Sequence, residues 1–100
     1  MDSANAPKQI LNTKASLSLE NYAGTYEDEL HGIVKITLVN DRLNVMVNNI
    51  LPGDLSHYHY NTFKVAYHKK YYTPGYYTFQ LGNSGKINAV IIHNITYKRK

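Results

Sequence analysis

The chain has 100 residues, a formal net charge of +4, ten Tyr and no Cys. This length accommodates one domain, and a hydrophobic content of 43% is enough for one compact core. The absence of Cys excludes a disulfide framework and a thiolate metal site. No apolar run approaches the roughly 20 residues of a membrane-spanning helix, and residues 1–7 lack the basic and apolar regions of a signal peptide.

The excess positive charge lies near the two ends of the sequence. Acidic and basic residues balance between residues 19 and 97, whereas residues 98–100 read Lys-Arg-Lys. A nucleic-acid-binding protein usually carries its basic residues on a folded face. We therefore interpret residues 98–100 as a solvated terminus and expect no nucleic-acid partner.

Residues 1–18 are polar and lack periodicity, which predicts a linker or a disordered leader before a small β-barrel domain at 19–100. Such a leader is typical of a segment cut from a longer chain, and equally of a frayed terminus. Residues 18–22 predict one helical turn that Gly24 ends, and residues 25–27 predict a short strand. The polar stretch 28–32 ends in Gly and predicts a turn.

Residues 33–47 form the clearest pattern in the chain, because apolar residues alternate with period two on both sides of Asn40-Asp41. A two-residue loop at Asn40-Asp41 tolerates positive φ. It predicts a hairpin in which Leu38 faces Leu43, Ile36 faces Val45 and Val34 faces Val47.

The second predicted hairpin lies near the C-terminus, where two apolar alternating runs flank residues 83–85. A three-residue loop with Gly85 in the left-handed position pairs Leu81 with Ile87. The same register predicts that Phe79 faces Ala89 and that Tyr77 faces Ile91.

Further strands are predicted at residues 55–60, 63–67 and 95–97, with turns at Pro52-Gly53 and Pro74-Gly75. Several short strands at regular spacing without an amphipathic helix indicate an all-β protein. The consecutive hairpins favour an antiparallel up-and-down meander barrel of about eight strands.

His57 and His59 are two residues apart, so a regular strand places them on one face, as two metal ligands could be. A third ligand could come from His31, His68, His93 or Asp54, but no feature of the sequence selects one. We therefore assign no metal ligand, no cofactor and no catalytic residue. The Ser-x-x-Lys and Gly-x-Ser-x-Gly motifs of serine nucleophiles are absent from the chain.

Tyrosine is the most informative residue type. Tyr has an apolar ring and a polar hydroxyl, so it suits interfaces, although it also has high strand propensity. Our candidate contact surface contains His57, Tyr58, His59, Tyr60, Tyr67, Tyr71, Tyr72 and Tyr76.

The chain resembles DUF3471, a family of lipocalin-like domains found after β-lactamase-related, penicillin-binding-protein-like serine hydrolases. Residues 19–27 are similar to its opening, Leu-x-x-Tyr-x-Gly-x-Tyr. Residues 55–63 are similar to its signature His-Trp-His-Tyr-Asp-Thr-Phe, with Tyr58 in place of Trp and Asn61 in place of Asp. The first hairpin and residues 76–92 fit the rest of the pattern.

This resemblance implies a lipocalin-like barrel that follows a catalytic domain in the same chain, in a periplasmic or extracellular parent. It implies no catalytic residue in this segment. Our first hypothesis is a non-catalytic accessory domain that packs on or caps the catalytic domain and modulates substrate access. The alternative hypotheses are a barrel that binds a small apolar ligand in its interior and a metal-dependent enzyme that uses His57 and His59.

Overall fold

A computed structural model describes residues 15, 17–69 and 75–100 of the chain. A 3-10 turn at Leu19–Asn21 precedes eight strands: β1 Gly24–Asp28, β2 Gly32–Val39, β3 Arg42–Val47, β4 Leu51–His59, β5 Thr62–Tyr67, β6 Gly75–Leu81, β7 Ile87–Ile92 and β8 Ile95–Arg99. Each strand pairs antiparallel with the next, and β8 pairs with β1 to close the barrel. The predicted eight-stranded up-and-down barrel is confirmed. No helix in the described ranges is long and apolar enough to cross a membrane.

The hairpin of β2 and β3 has the predicted register. Leu38 pairs with Leu43, Ile36 with Val45 and Val34 with Val47. Asn40 and Asp41 form the two-residue loop with φ of 52° and 64°, which is the left-handed geometry whose twist matches the strands.

The hairpin of β6 and β7 has the predicted loop, with Gly85 at a φ of 81°, and the predicted pair of Leu81 with Ile87. The pairs predicted beyond it are wrong: Phe79 pairs with Val90, not Ala89, and Tyr77 pairs with Ile92, not Ile91. A β-bulge next to Leu81 adds one residue to β7 and shifts the register. Residues 89–92 are all apolar, so the sequence pattern alone could not separate the two registers.

The turn predicted at Pro52-Gly53 is wrong, because both residues lie in β4. The chain turns earlier, at Asn48 and Asn49, whose φ angles are 51° and 61°. Gly53 is needed for close packing: a Cβ there would lie 3.0 Å from the Tyr67 ring and 3.1 Å from the backbone oxygen of Ala66. Of the turn predicted at Pro74-Gly75, Pro74 lies outside the described residues, and Gly75 is the first residue of β6.

The inward faces of the strands meet in one aromatic and aliphatic core. Its aromatic centre is Tyr22, Phe63 and Phe79, whose rings make edge-to-face contacts at centroid distances of 5.0 to 5.6 Å. Tyr22, Tyr26 and Tyr77 have no solvent exposure at all. Tyrosines of the described residues therefore contribute to the core as well as to the surface.

The barrel has two ends that the topology defines. The helix end carries the 3-10 turn and the β2–β3, β4–β5 and β6–β7 connections, and the far end carries the β1–β2, β3–β4, β5–β6 and β7–β8 connections. Most of the predicted linker, residues 1–14 and 16, lies outside the described residues. Ala15 and Leu17 pack against the core at the helix end.

The interpretation of residues 98–100 as a solvated terminus is wrong. Lys98 and Arg99 lie in β8, and the backbone nitrogen of Lys100 donates to the oxygen of Thr25 at 2.9 Å. The half-buried Arg99 donates to the backbone oxygens of Asn21, Ala23 and Ile87 at 3.1, 2.7 and 3.2 Å. The basic triplet therefore belongs to the barrel wall, because Lys98 and Arg99 complete β8 and Lys100 bonds to β1 directly after it.

Candidate interaction surface

Four aromatic side chains of the predicted contact surface lie together on the barrel, and we call them the aromatic patch: Tyr58, His59, Tyr60 and Tyr76. Tyr76 follows the buried Gly75 and precedes the buried Tyr77, so strand alternation places its side chain on the outer face of β6. The rings of Tyr58 and Tyr76 have centroids 4.8 Å apart. Strand β5 lies between β4 and β6, so this contact crosses the outer face of β5.

The rest of the aromatic patch runs from Tyr58 to the helix end. The His59 ring is 4.9 Å from the Tyr58 ring and 6.0 Å from the Tyr60 ring, between centroids. Tyr60 sits in the β4–β5 turn with a φ of 44°, a backbone region that costs a bulky residue of order 1 kcal/mol or more. Its side chain is half exposed, so the turn presents a large ring to solvent.

The side chain of His57 lies apart from the aromatic patch, against Phe63. It pairs with the buried Phe63, and their ring centroids are 5.5 Å apart at the mouth of the barrel. Its Nε2 donates to the backbone oxygen of Tyr60 at 2.8 Å and so fixes the β4–β5 turn. A register shift separates His57 from His59, so the regular alternation that our face prediction assumed does not apply.

Tyr67 also lies apart from the aromatic patch. It pairs with the buried Gly53, and its hydroxyl shares a hydrogen bond of 2.7 Å with the hydroxyl of Tyr77. Burial raises the pKa of both phenols above the usual value of 10. The structure therefore assigns Tyr67 to the polar part of the core. Tyr71 and Tyr72 lie outside the described residues.

Two of the histidines that we considered as a third metal ligand, His31 and His68, bind separate carboxylates. His31 Nδ1 donates to Asp28 Oδ2 at 2.7 Å, and His68 Nε2 donates to Asp54 Oδ2 at 3.0 Å. Asp28 has a lowered pKa, chiefly because of the His31 hydrogen bond. In the described part of the chain, no group of three or more His, Asp or Glu residues is arranged to hold a metal ion.

A second exposed feature of the helix end is apolar. Leu38, Val39, Tyr60 and Leu81 are between 37% and 52% exposed and lie at or beside its three hairpin connections. We call these four side chains the apolar rim. At the far end, the described large apolar residues with the highest exposure are Leu30 and Ile50. Exposed apolar side chains thus concentrate at both ends of the barrel. The chain enters the barrel at the helix end, beside Leu19.

A pocket of about 400 Å³ lies beside the 3-10 turn. Leu19, Leu43, Leu55 and Phe63 give it apolar walls, and Arg42, His57, Asp41, Asp54 and Ser56 give it a polar border. The pocket therefore touches the aromatic centre of the core at Phe63, whose ring packs on Tyr22 and Phe79.

The sequence did not indicate the roles of two residues that hold parts of the barrel together, Arg99 and Asn48. Arg99 read as one of three basic residues in a terminal run, and Asn48 read as one of many polar loop residues. Asn48 Oδ1 accepts from the nitrogen of Ile33 at 2.8 Å, and its Nδ2 donates to the oxygen of His31 at 3.2 Å. Asn48 thereby joins two turns of the far end that are distant in sequence.

The two motifs of the resemblance come into direct contact in the structure. Tyr22, from the Leu-x-x-Tyr-x-Gly-x-Tyr opening, donates through its hydroxyl to Asn61 Oδ1 at 2.5 Å. The hydroxyl of Tyr26 donates to the backbone oxygen of Tyr22 at 2.8 Å. Conserving this contact requires an acceptor at position 61, and either Asn or Asp supplies one.

These features define a small eight-stranded up-and-down barrel with an aromatic core and exposed apolar side chains at its ends. The model of the family described as "Domain of unknown function (DUF3471)" matches residues 8–100, and the chain belongs to this family. The match begins before the 3-10 turn and includes part of the predicted linker. Neither the curated proteins nor the solved structures gave a match.

Proposed function

We propose that this barrel is a non-catalytic accessory domain that packs against the catalytic domain of a serine hydrolase of the β-lactamase-related type in the same chain. The observation that carries the proposal is the apolar rim at the end of the barrel where the polypeptide enters. A domain that precedes residue 19 is tethered to this end, so its effective concentration is highest there.

The residues at this end suit a contact between domains. Val39 and Leu81 offer aliphatic side chains, and Tyr60 offers a ring and a hydroxyl, which is why tyrosine is enriched at interfaces. The aromatic patch extends the apolar rim along the outer face of β4 to β6. The Tyr60 conformation costs folding energy without adding to the core, which supports a role for its ring at the surface.

The charges around this end are mixed. Asp41, Arg42 and Lys86 are exposed beside the apolar rim. Mixed charges around an apolar centre are the usual composition of the contacts between domains in one chain. The arrangement favours a partner surface with its own mixed rim and an apolar recess.

A domain in this position modulates substrate access by covering one side of the active site. The test compares the full-length parent with a parent that lacks residues 19–100. Removal is expected to change the substrate profile, read as kcat/KM across substrates of different size, or to lower the Tm of the catalytic domain. Unchanged kinetics together with an unchanged Tm would contradict the proposal.

The alternative, a barrel that binds a small apolar ligand, has one supporting observation, the pocket beside the 3-10 turn. The barrel interior is occupied by Tyr22, Phe63 and Phe79, so a ligand would have to bind at the mouth. Titration with a fluorescent apolar probe distinguishes the two hypotheses. Saturable binding that is lost in Leu19→Asp, at the half-buried wall of the pocket, but retained in Leu30→Asp would favour the ligand hypothesis.

A further inference from the structure

The junction that closes the barrel is the shortest pairing between its strands. Strands β1 and β8 are joined at two paired positions, Tyr26 with Arg99 and Glu27 with Lys98. The neighbouring junctions of β1 with β2 and of β7 with β8 have five and four paired positions. We call the β1–β8 junction the seam. A short pairing makes few backbone hydrogen bonds, so the seam needs support from side chains.

That support comes from Arg99. Its guanidinium binds the backbone oxygens of Asn21 and Ala23, which precede β1, and the oxygen of Ile87 at the start of β7. One planar group thus holds three segments of the chain together. The carbon Cζ also lies 5.9 Å from the centroid of the buried Tyr26 ring, which adds a cation–π contact.

The sequence around the seam leaves room for this guanidinium. A Cβ on Gly24 would lie 2.9 Å from Arg99 Nε and 3.2 Å from Nη2. Gly24 is therefore the residue that lets the Arg99 side chain lie flat across the start of β1. Besides the contacts of the Arg99 guanidinium, the backbone hydrogen bond from Lys100 to Thr25 supports the seam. An exposed ion pair of 3.4 Å between Lys100 and Glu27 lies there as well.

We infer that the seam is the place where this barrel opens and that Arg99 is the latch that holds it closed. When the latch is released, β1 and β8 separate before the other strands and expose unpaired backbone edges. An unpaired strand edge is a template for another strand. Two copies of the chain then pair edge to edge, so loss of the latch makes the protein self-associate through the open seam.

The first test measures hydrogen exchange of the whole chain carrying Arg99→Ala, with Lys98→Ala as the matched control on the same strand. Exchange in β1 and β8 is expected to accelerate by roughly tenfold or more, with less change in β3 and β4. Arg99→Lys is expected to behave like Arg99→Ala, because an ammonium cannot reach three carbonyls in one plane. Equal acceleration in every strand would overturn the inference.

A second variant tests the self-association that an open seam predicts. Glu27 and Lys98 are paired across the seam, and the chain has no Cys of its own. Paired positions in antiparallel strands have Cα atoms about 4.5–5.5 Å apart, which suits a disulfide. Glu27→Cys with Lys98→Cys, added to Arg99→Ala, is expected to restore the elution volume of the unmodified protein on size-exclusion chromatography when oxidised. Self-association that persists in the oxidised form, or that is absent from Arg99→Ala itself, would also overturn the inference.

Discussion

The hydroxyl of Tyr22 donates a hydrogen bond to Oδ1 of Asn61 across 39 positions of sequence, at 2.5 Å. This contact joins the 3-10 turn to the β4–β5 turn at the helix end. Tyr22 and Asn61 are thus the residues through which the two stretches that resemble the family meet. Since Oδ1 acts as an acceptor, the contact assigns position 61 a structural part at this end.

Asn61→Asp is expected to keep the stability of the protein, because a carboxylate oxygen accepts the same bond from Tyr22. Asn61→Ala removes the acceptor, so the buried hydroxyl of Tyr22 loses this hydrogen bond. The loss is expected to cost about 1–3 kcal/mol of unfolding free energy. Denaturant unfolding of both variants measures the difference. A loss in Asn61→Asp as large as that in Asn61→Ala would contradict the assigned role.

The stability of the barrel is expected to fall steeply at alkaline pH. Burial raises the pKa of Tyr26 to about 12 and also raises the pKa of Tyr77, against 10 in an unfolded chain. The folded state therefore holds protons that the unfolded state loses, so the stabilisation is complete below pH 10 and is lost as the pH rises above it. Each protected tyrosine contributes a slope of about 1.4 kcal/mol per pH unit.

Unfolding curves between neutral and alkaline pH, together with tyrosinate absorbance, measure this loss. Tyr26→Phe is the control, since it removes one of the titrating groups and its bond to the oxygen of Tyr22. It is expected to be less stable at neutral pH, with a shallower alkaline slope. An identical slope in the two proteins would show that Tyr26 does not titrate as described.

Gly53→Ala is expected to destabilise the protein by about 1–3 kcal/mol, because the added methyl group overpacks the core between Tyr67 and Val45. Gly75→Ala is the matched control in another strand, since its methyl group would find ordinary contacts at 3.5 Å or more. Thermal unfolding compares the two. Equal effects would mean that Gly53 is not selected by close packing.

Asn48→Gly is expected to cost about 1 kcal/mol, because it removes the side-chain bonds to Ile33 and His31 but keeps the left-handed backbone. Asn49→Gly is the control, because residue 49 has a similar φ. Chemical denaturation of both variants measures how much the side-chain bonds of Asn48 contribute to the free energy of unfolding. A cost in Asn49→Gly as large as that in Asn48→Gly would assign the effect to the backbone alone.

Local patterns in this sequence predict the fold well where one register is clearly better than another. In β2 and β3, a slip by one residue would turn Asn44 toward the core, so alternation and the Asn40-Asp41 loop determine the pairing. In β7, four consecutive apolar residues allow two registers, and the bulge selects one. Pro52-Gly53 shows a different limit, because the reason for Gly53 is a distant ring that no local pattern reveals.

The candidate surface was predicted in part. Tyr58, His59 and Tyr60 are adjacent in sequence, and the outward position of Tyr76 completes the aromatic patch. The sequence could not show that Tyr67 and His57 lie outside the aromatic patch. A tyrosine or histidine is compatible with either face of a strand, so its identity does not reveal whether it points inward or outward. Arg99 was missed because its three acceptors are backbone oxygens, which every sequence contains.

The proposed function requires the apolar rim to dock on a catalytic domain in the same chain. The most direct measurement is kcat/KM of the full-length parent carrying Val39→Thr, Tyr60→Asn and Leu81→Thr, beside a control with Leu30→Thr and Ile50→Thr at the far end. Asn at position 60 retains the left-handed turn. We expect the rim variant to change kcat/KM by roughly tenfold, as hot-spot truncations do, with the control unchanged. Equal activity in the rim variant, the control and the unmodified parent would contradict the claim.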